Sequence, residues 1–146
     1  MRAYCDTSFL VSLYTPDANS QAAAAEARRS ATTLFISPLG ELEFTNALQL
    51  RVFREELTKT EASAAYTVIQ EDLAASVYSV QPVSTAVFDT AKRVSLKYTA
   101  GIGSRSLDVL HLAAAFAMGA DVLLSFDANQ RKLAKAAGLR SAPAIH

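Results

Sequence analysis

Apolar positions along this chain switch repeatedly between two spacings. Short runs rich in β-branched and aromatic residues, at 2–5, 33–37, 77–81 and 122–125, read as strands. Between them, apolar residues recur every three to four positions, which predicts helices over 8–14, 18–29, 38–54, 59–76, 84–98, 106–118 and 127–137. Pro16 breaks the first of these helices, Pro38 opens the third, and Gly138 closes the last. The stretch Gly101-Ile102-Gly103 reads as a loop, and the tail adds a last short strand. Strands alternating with helices predict an α/β fold, a three-layer sandwich whose central parallel sheet is flanked by helices on both faces. Residues 1–146 read as one domain, without internal repeat, low-complexity segment or linker.

Two helices carry further information in their patterns. The one after Ser106 is apolar nearly all round, so it is expected to be buried. In the helix after Pro38, helical spacing aligns Leu39, Leu42, Glu43, Asn46, Leu50 and Phe53 on one stripe, expected to face the core. Glu43 interrupts that stripe. A carboxylate aimed inward is costly unless a basic group or a metal ion pairs with it. Phe44, Leu48 and Val52 form a second apolar face, expected to pack against a neighbouring helix or a dimer mate.

Composition narrows the function classes. Of 146 residues, 51% are hydrophobic and 19% charged, so the chain can bury a substantial core. Fourteen basic residues balance 14 acidic ones, which excludes nucleic-acid binding by bulk charge alone and leaves a local patch or an ion-assisted contact. Cys5 is the lone cysteine, so no internal disulfide forms; it reads as a small buried hydrophobe in a reducing compartment. No signal-peptide pattern is visible, and the most apolar stretch, 109–118, is too short to span a bilayer and contains His111. A cytoplasmic protein without membrane contact is expected.

Candidate chemistry lies at the carboxyl ends of the strands, where open parallel sheets gather ligands. Asp6 directly follows the first strand, and Asp127 follows the strand at 122–125. Glu43 and Asp108 can reach the same edge from their helices. Each acid alone has an ordinary explanation: Asp6 as a helix cap, Asp127 with Gln130 as a capping pair, Asp108 in a favourable first turn, Glu43 as a rim residue. Together they would repel one another unless a cation sits among them, and oxygen-only ligands favour Mg²⁺ or Mn²⁺ over zinc. Such an ion can activate a water and neutralise charge on a phosphoryl group. His111, one turn after Asp108, reads as a satisfied core histidine in preference to a partner for that carboxylate. Arg51, Arg54, Lys92, Arg93, Lys97 and Arg105 read mostly as solvated faces; Arg105, beside the acids, is the strongest candidate for a phosphate contact.

Four segments in register carry a family resemblance: Tyr4-Cys5-Asp6-Thr7-Ser8-Phe9-Leu10, Glu43-Phe44-Thr45-Asn46-Ala47-Leu48, Ser106-Leu107-Asp108-Val109-Leu110-His111-Leu112-Ala113 and Ser125-Phe126-Asp127. Together they resemble the PIN-domain family, and within it the VapC-type toxins of bacterial toxin–antitoxin pairs. The resemblance implies endonucleolytic RNA cleavage by a metal-activated water, with Asp6, Glu43, Asp108 and Asp127 as catalytic and metal-binding acids. It implies Thr7 or Ser8 supporting the first acid and Ser125 acting near Asp127. It further implies Mg²⁺ or Mn²⁺ as cofactor, a cognate antitoxin as partner and a homodimer. The competing class is a PIN-like module that holds RNA or protein without cutting. A phosphotransfer receiver would want a lysine after the last strand, where 139–146 has none, and an aspartyl phosphatase a second Asp where Ser8 stands.

Overall fold

The computed structural model describes residues 1–145. Strand β1 (Arg2–Cys5) lies at the centre of a parallel sheet, between β2 (Thr33–Ile36) and β4 (Val122–Leu124). Strand β3 (Tyr78–Val80) borders β2 and β5 (Arg140–Ala142) borders β4, giving five strands in the order β3-β2-β1-β4-β5. Tyr4 stands level with Phe35 and Leu123, so side chains that alternate along each strand sort into two layers.

Ala3, Cys5, Leu34, Ile36, Val122 and Leu124 face one layer, built from α1 (Thr7–Tyr14), α2 (Ser20–Ala27), α3 (Pro38–Phe53) and α4 (Lys59–Ala74). Tyr4, Phe35 and Leu123 face the other, built chiefly from α5 (Thr85–Val94), α7 (Ser106–Ala117) and α8 (Ala128–Ala136). This is the α/β sandwich that the alternation predicts. Cys5 is fully buried, and α7 is buried from Asp108 through Ala115. Among the described residues, no helix is long and apolar enough to cross a membrane.

Two expectations need correction. On α3 the core face is the other one: Phe44 and Leu48 are fully buried, whereas Leu42 is 66% and Phe53 84% exposed. Both stripes are apolar, and the choice between them is made by α1 and α4, which pack onto Phe44 and Leu48. That burial lies within one subunit, so no dimer mate is needed to cover this face. The second correction concerns 101–103. The helix does not stop before Gly101 but widens into a π-helical turn at Ser95–Thr99 and continues as α6 (Ala100–Ile102). It ends at Gly103, whose φ of +78° is left-handed and whose N–H bonds the Thr99 carbonyl at 2.7 Å. Ile102, packed against the core, holds this extra turn in place.

Candidate active site

Strand β1 ends at Asp6, whose N–H bonds the Leu124 carbonyl at 3.1 Å and so fixes the residue to the carboxyl edge of the sheet. Its Oδ1 accepts the Phe9 N–H at 2.9 Å and the Ser8 hydroxyl at 2.6 Å, which caps α1. Asp6 is almost completely buried. Burial pushes its carboxyl above the usual range, and the Ser125 and Ser8 hydroxyls with the Phe9 amide offset this only in part. Every near donor is neutral, so the charge lacks a counter-ion in direct contact.

Ser8 also ties the first and fourth strand ends together. Its hydroxyl accepts the Phe126 N–H at 2.9 Å and lies 3.3 Å from the Ser125 hydroxyl. Ser125 Oγ accepts the Asp127 N–H at 3.1 Å, and Asp127 Oδ1 caps α8 by accepting the Gln130 N–H at 2.8 Å.

Glu43 enters from α3, half-buried. Its Oε1 accepts the Thr7 hydroxyl at 3.0 Å and is hydrogen-bonded to His111 Nε2. Burial by itself would raise this carboxyl; the hydrogen bond and charge of His111, the Thr7 hydroxyl and the more distant Arg105 outweigh it, and the group is held below its ordinary value. Asp108, in the first turn of α7, accepts the Arg105 N–H at 2.9 Å and lies 3.5 Å from the Arg105 guanidinium. The same guanidinium stands 4.0 Å from Asp127 Oδ2.

These elements border a cleft of about 510 Å³ lined by Thr7, Ser8, Glu43, Asp127 and the cationic side chains of Arg51, Arg54 and Arg105. Asp6 and Asp108 adjoin it through Ser8 and Arg105 respectively. Thr7 bonds Glu43 and not Asp6, while Ser8 bonds Asp6 directly. His111, adjacent to Asp108 in sequence, reaches Glu43 instead. The sequence reading missed Tyr4, whose hydroxyl completes the hydrogen bonding of His111; a lone tyrosine in an apolar strand gives no cue to such a role. It also passed over Asp17, which lines the cleft and is held by the Ser12 hydroxyl at 2.8 Å.

Among the described residues, no three His, Cys, Asp or Glu side chains stand close enough to hold one ion among themselves. That geometry argues against a closed, all-protein cage. It suits Mg²⁺, which keeps several waters and is usually held through one or two carboxylates together with substrate phosphates. The available donors are carboxylate and hydroxyl oxygens, hard ligands of the matching kind. Arg105 does not seal the site. Its side chain is 78% exposed, and ion pairs of that kind contribute only about 0.2–1 kcal/mol.

Comparison with known proteins extends this picture. The PIN domain profile matches residues 3–136. No curated protein sequence matches significantly. The fold is similar to that of Mycobacterium tuberculosis VapC20, described as a sarcin–ricin-loop-cleaving toxin, at 20% identity and a TM-score of 0.71 over 94% of this chain and 95% of that one. FitAcB from Neisseria gonorrhoeae aligns at 15% identity and a TM-score of 0.65 over 97% of this chain and 96% of that one. VapBC2 from Rickettsia felis, solved with a DNA fragment from its promoter, gives 15% identity and a TM-score of 0.65 over 97% and 98%. With the profile spanning nearly all of the sheet and its helices, the chain belongs to the PIN domain family.

Proposed function

We propose that this PIN domain protein is an endoribonuclease, hydrolysing RNA phosphodiester bonds with the help of a divalent metal ion. The observation that carries this reading is the cleft at the carboxyl edge of the sheet, where buried Asp6 is held by neutral hydroxyls while Glu43 and Asp127 share a wall with arginines. Asp6, Glu43, Asp108 and Asp127 would hold Mg²⁺ or Mn²⁺, which when bound supplies an activated water and neutralises charge on the phosphoryl group. Thr7 and His111 both bond Glu43 Oε1 and so orient its carboxylate. Ser8 and Ser125 hold Asp6 and the backbone of Asp127 in register. Arg105, released from Asp127, is placed to receive an RNA phosphate, with Arg51 and Arg54 along the same cleft.

The similarity to VapC20 and VapBC2 supports a cellular role as the toxin of a type II toxin–antitoxin pair, restrained in the cytoplasm by a cognate antitoxin and acting as a homodimer. The decisive experiment incubates purified protein with transfer, ribosomal and messenger RNA, with Mg²⁺ or Mn²⁺ and then with chelator. Cleavage is expected only with metal, and is lost in Asp6→Asn and Asp108→Asn proteins whose circular dichroism matches the parent. Cleavage retained in both variants removes these acids from the mechanism. No calorimetric heat with Mn²⁺, together with intact RNA, points to a non-cutting binding module.

A further inference from the structure

The polar groups behind Glu43 form a line that packing alone does not require. Tyr4 and Ser37 are fully buried and His111 is 4% exposed, within a layer otherwise made of residues such as Phe35, Leu112 and Leu123. They come from β1, the β2–α3 junction and α7. A phenylalanine and a leucine would fill the same space, and each buried polar atom left unmatched costs about 1–3 kcal/mol. Here each atom on the line is matched. Ser37 Oγ lies 3.0 Å from Tyr4 Oη, Tyr4 Oη lies 2.6 Å from His111 Nδ1, and His111 Nε2 meets Glu43 Oε1.

We infer that Ser37, Tyr4 and His111 form a directional hydrogen-bond relay whose task is to position Glu43, an inference resting on Glu43 belonging to the proposed nuclease site. The direction is set at the start of α3. Ser37 caps that helix by accepting the Gly40 N–H at 3.2 Å, which leaves its own hydrogen for Tyr4. Tyr4 then has its hydrogen for His111 Nδ1. With Nδ1 as acceptor, the ring of a neutral histidine carries its hydrogen on Nε2, where it is donated to Glu43. The opposite sense, with Tyr4 donating to Ser37, requires an imidazolium donating at both nitrogens. His111 therefore acts as a positioning residue: it holds one oxygen of Glu43 and directs the carboxylate toward the cleft, as outer groups orient metal-binding carboxylates elsewhere.

Nitrogen-15 NMR of the histidine rings tests this on metal-free protein at neutral pH, with His111→Gln identifying the His111 signals. The expected pattern is a neutral ring protonated at Nε2; a ring protonated at Nδ1, or doubly protonated, overturns the relay. Tyr4→Phe removes a single oxygen from the interior. It is expected to mix the two ring tautomers and lower kcat on RNA about tenfold with KM unchanged. His111→Gln, whose amide can still donate toward Glu43, should keep more activity than His111→Leu at equal helical content. Unchanged ring shifts and unchanged kcat in Tyr4→Phe overturn the proposal. If the parent protein shows the expected ring pattern yet cuts no RNA, the nuclease reading fails while the hydrogen-bond direction stands.

Discussion

The two ends of the sheet treat aspartate in opposite ways. At the amino ends of the strands, Asp121 is exposed; its Oδ2 accepts the Arg2 N–H at 2.7 Å, and its own N–H bonds the Arg2 carbonyl at 2.7 Å. The Arg2 guanidinium is satisfied as well, donating from Nε to the Met118 carbonyl at 3.0 Å and lying 4.3 Å from the centre of the Phe35 ring. At the carboxyl ends, Asp6 is buried among hydroxyls and lacks a cation in contact. An exposed cap would start α1 as well as a buried one. Stability explains the arrangement at Asp121 and leaves the burial of Asp6 to be explained by chemistry.

That contrast can be broken most directly by exchanging the acids one at a time. Asp6→Asn should lower RNA cleavage by about 100-fold or more, since a metal-binding carboxylate should matter at least as much as the groups that orient it. Asp121→Asn should leave cleavage unchanged and cost about 0.5–1.5 kcal/mol in urea unfolding. Equal loss of activity in both variants would erase the distinction between the two ends. The next effect is thermal: Mn²⁺ at 100 times its dissociation constant should stabilise the parent and Asp121→Asn by about 2.7 kcal/mol, and Asp6→Asn by much less. A melting curve insensitive to the ion in all three would dissociate Asp6 from metal binding.

Smaller effects sharpen the same comparison. Arg105→Ala should raise KM for RNA about fivefold, equivalent to roughly 1 kcal/mol of phosphate contact, with stability within about 0.5 kcal/mol of the parent. Arg140→Ala, at the amino end of β5, should alter neither. The gentlest signature is pH-dependent. Because burial raises the Asp6 carboxyl in the folded protein, the folded state binds its proton more readily than the unfolded chain. Above the ordinary aspartate range, metal-free parent protein should therefore lose stability relative to Asp6→Asn as pH rises through the raised value, and then level off. Urea midpoints across that interval measure the difference, and a difference growing in the other direction contradicts the burial argument.

Much of the fold was legible because its determinants are local. Period-two runs and three-to-four spacing located the strands and most helix limits, and the strand ends placed Asp6 and Asp127 at one edge before any geometry was known. What failed depended on partners distant in the chain. The face of α3 could not be chosen because both of its stripes are apolar, and only contact with α1 and α4 favours Phe44 and Leu48. Gly101 and Gly103 both suggest a break, but only Gly103 has positive φ. The bond between His111 and Glu43 joins positions 68 residues apart and follows from how α3 and α7 meet the sheet, which spacing within either helix does not encode.

The π-helical turn at Ser95–Thr99 has a consequence for chain length. Such a turn accommodates one residue more than regular winding, so the segment can absorb a single deletion by reverting to an α-helix. Everything after it would then rotate by about 100° and retreat by about 1.5 Å. Gly103 and Arg105 follow within a few residues, so length variation here is forgiven by folding and felt at the mouth of the cleft.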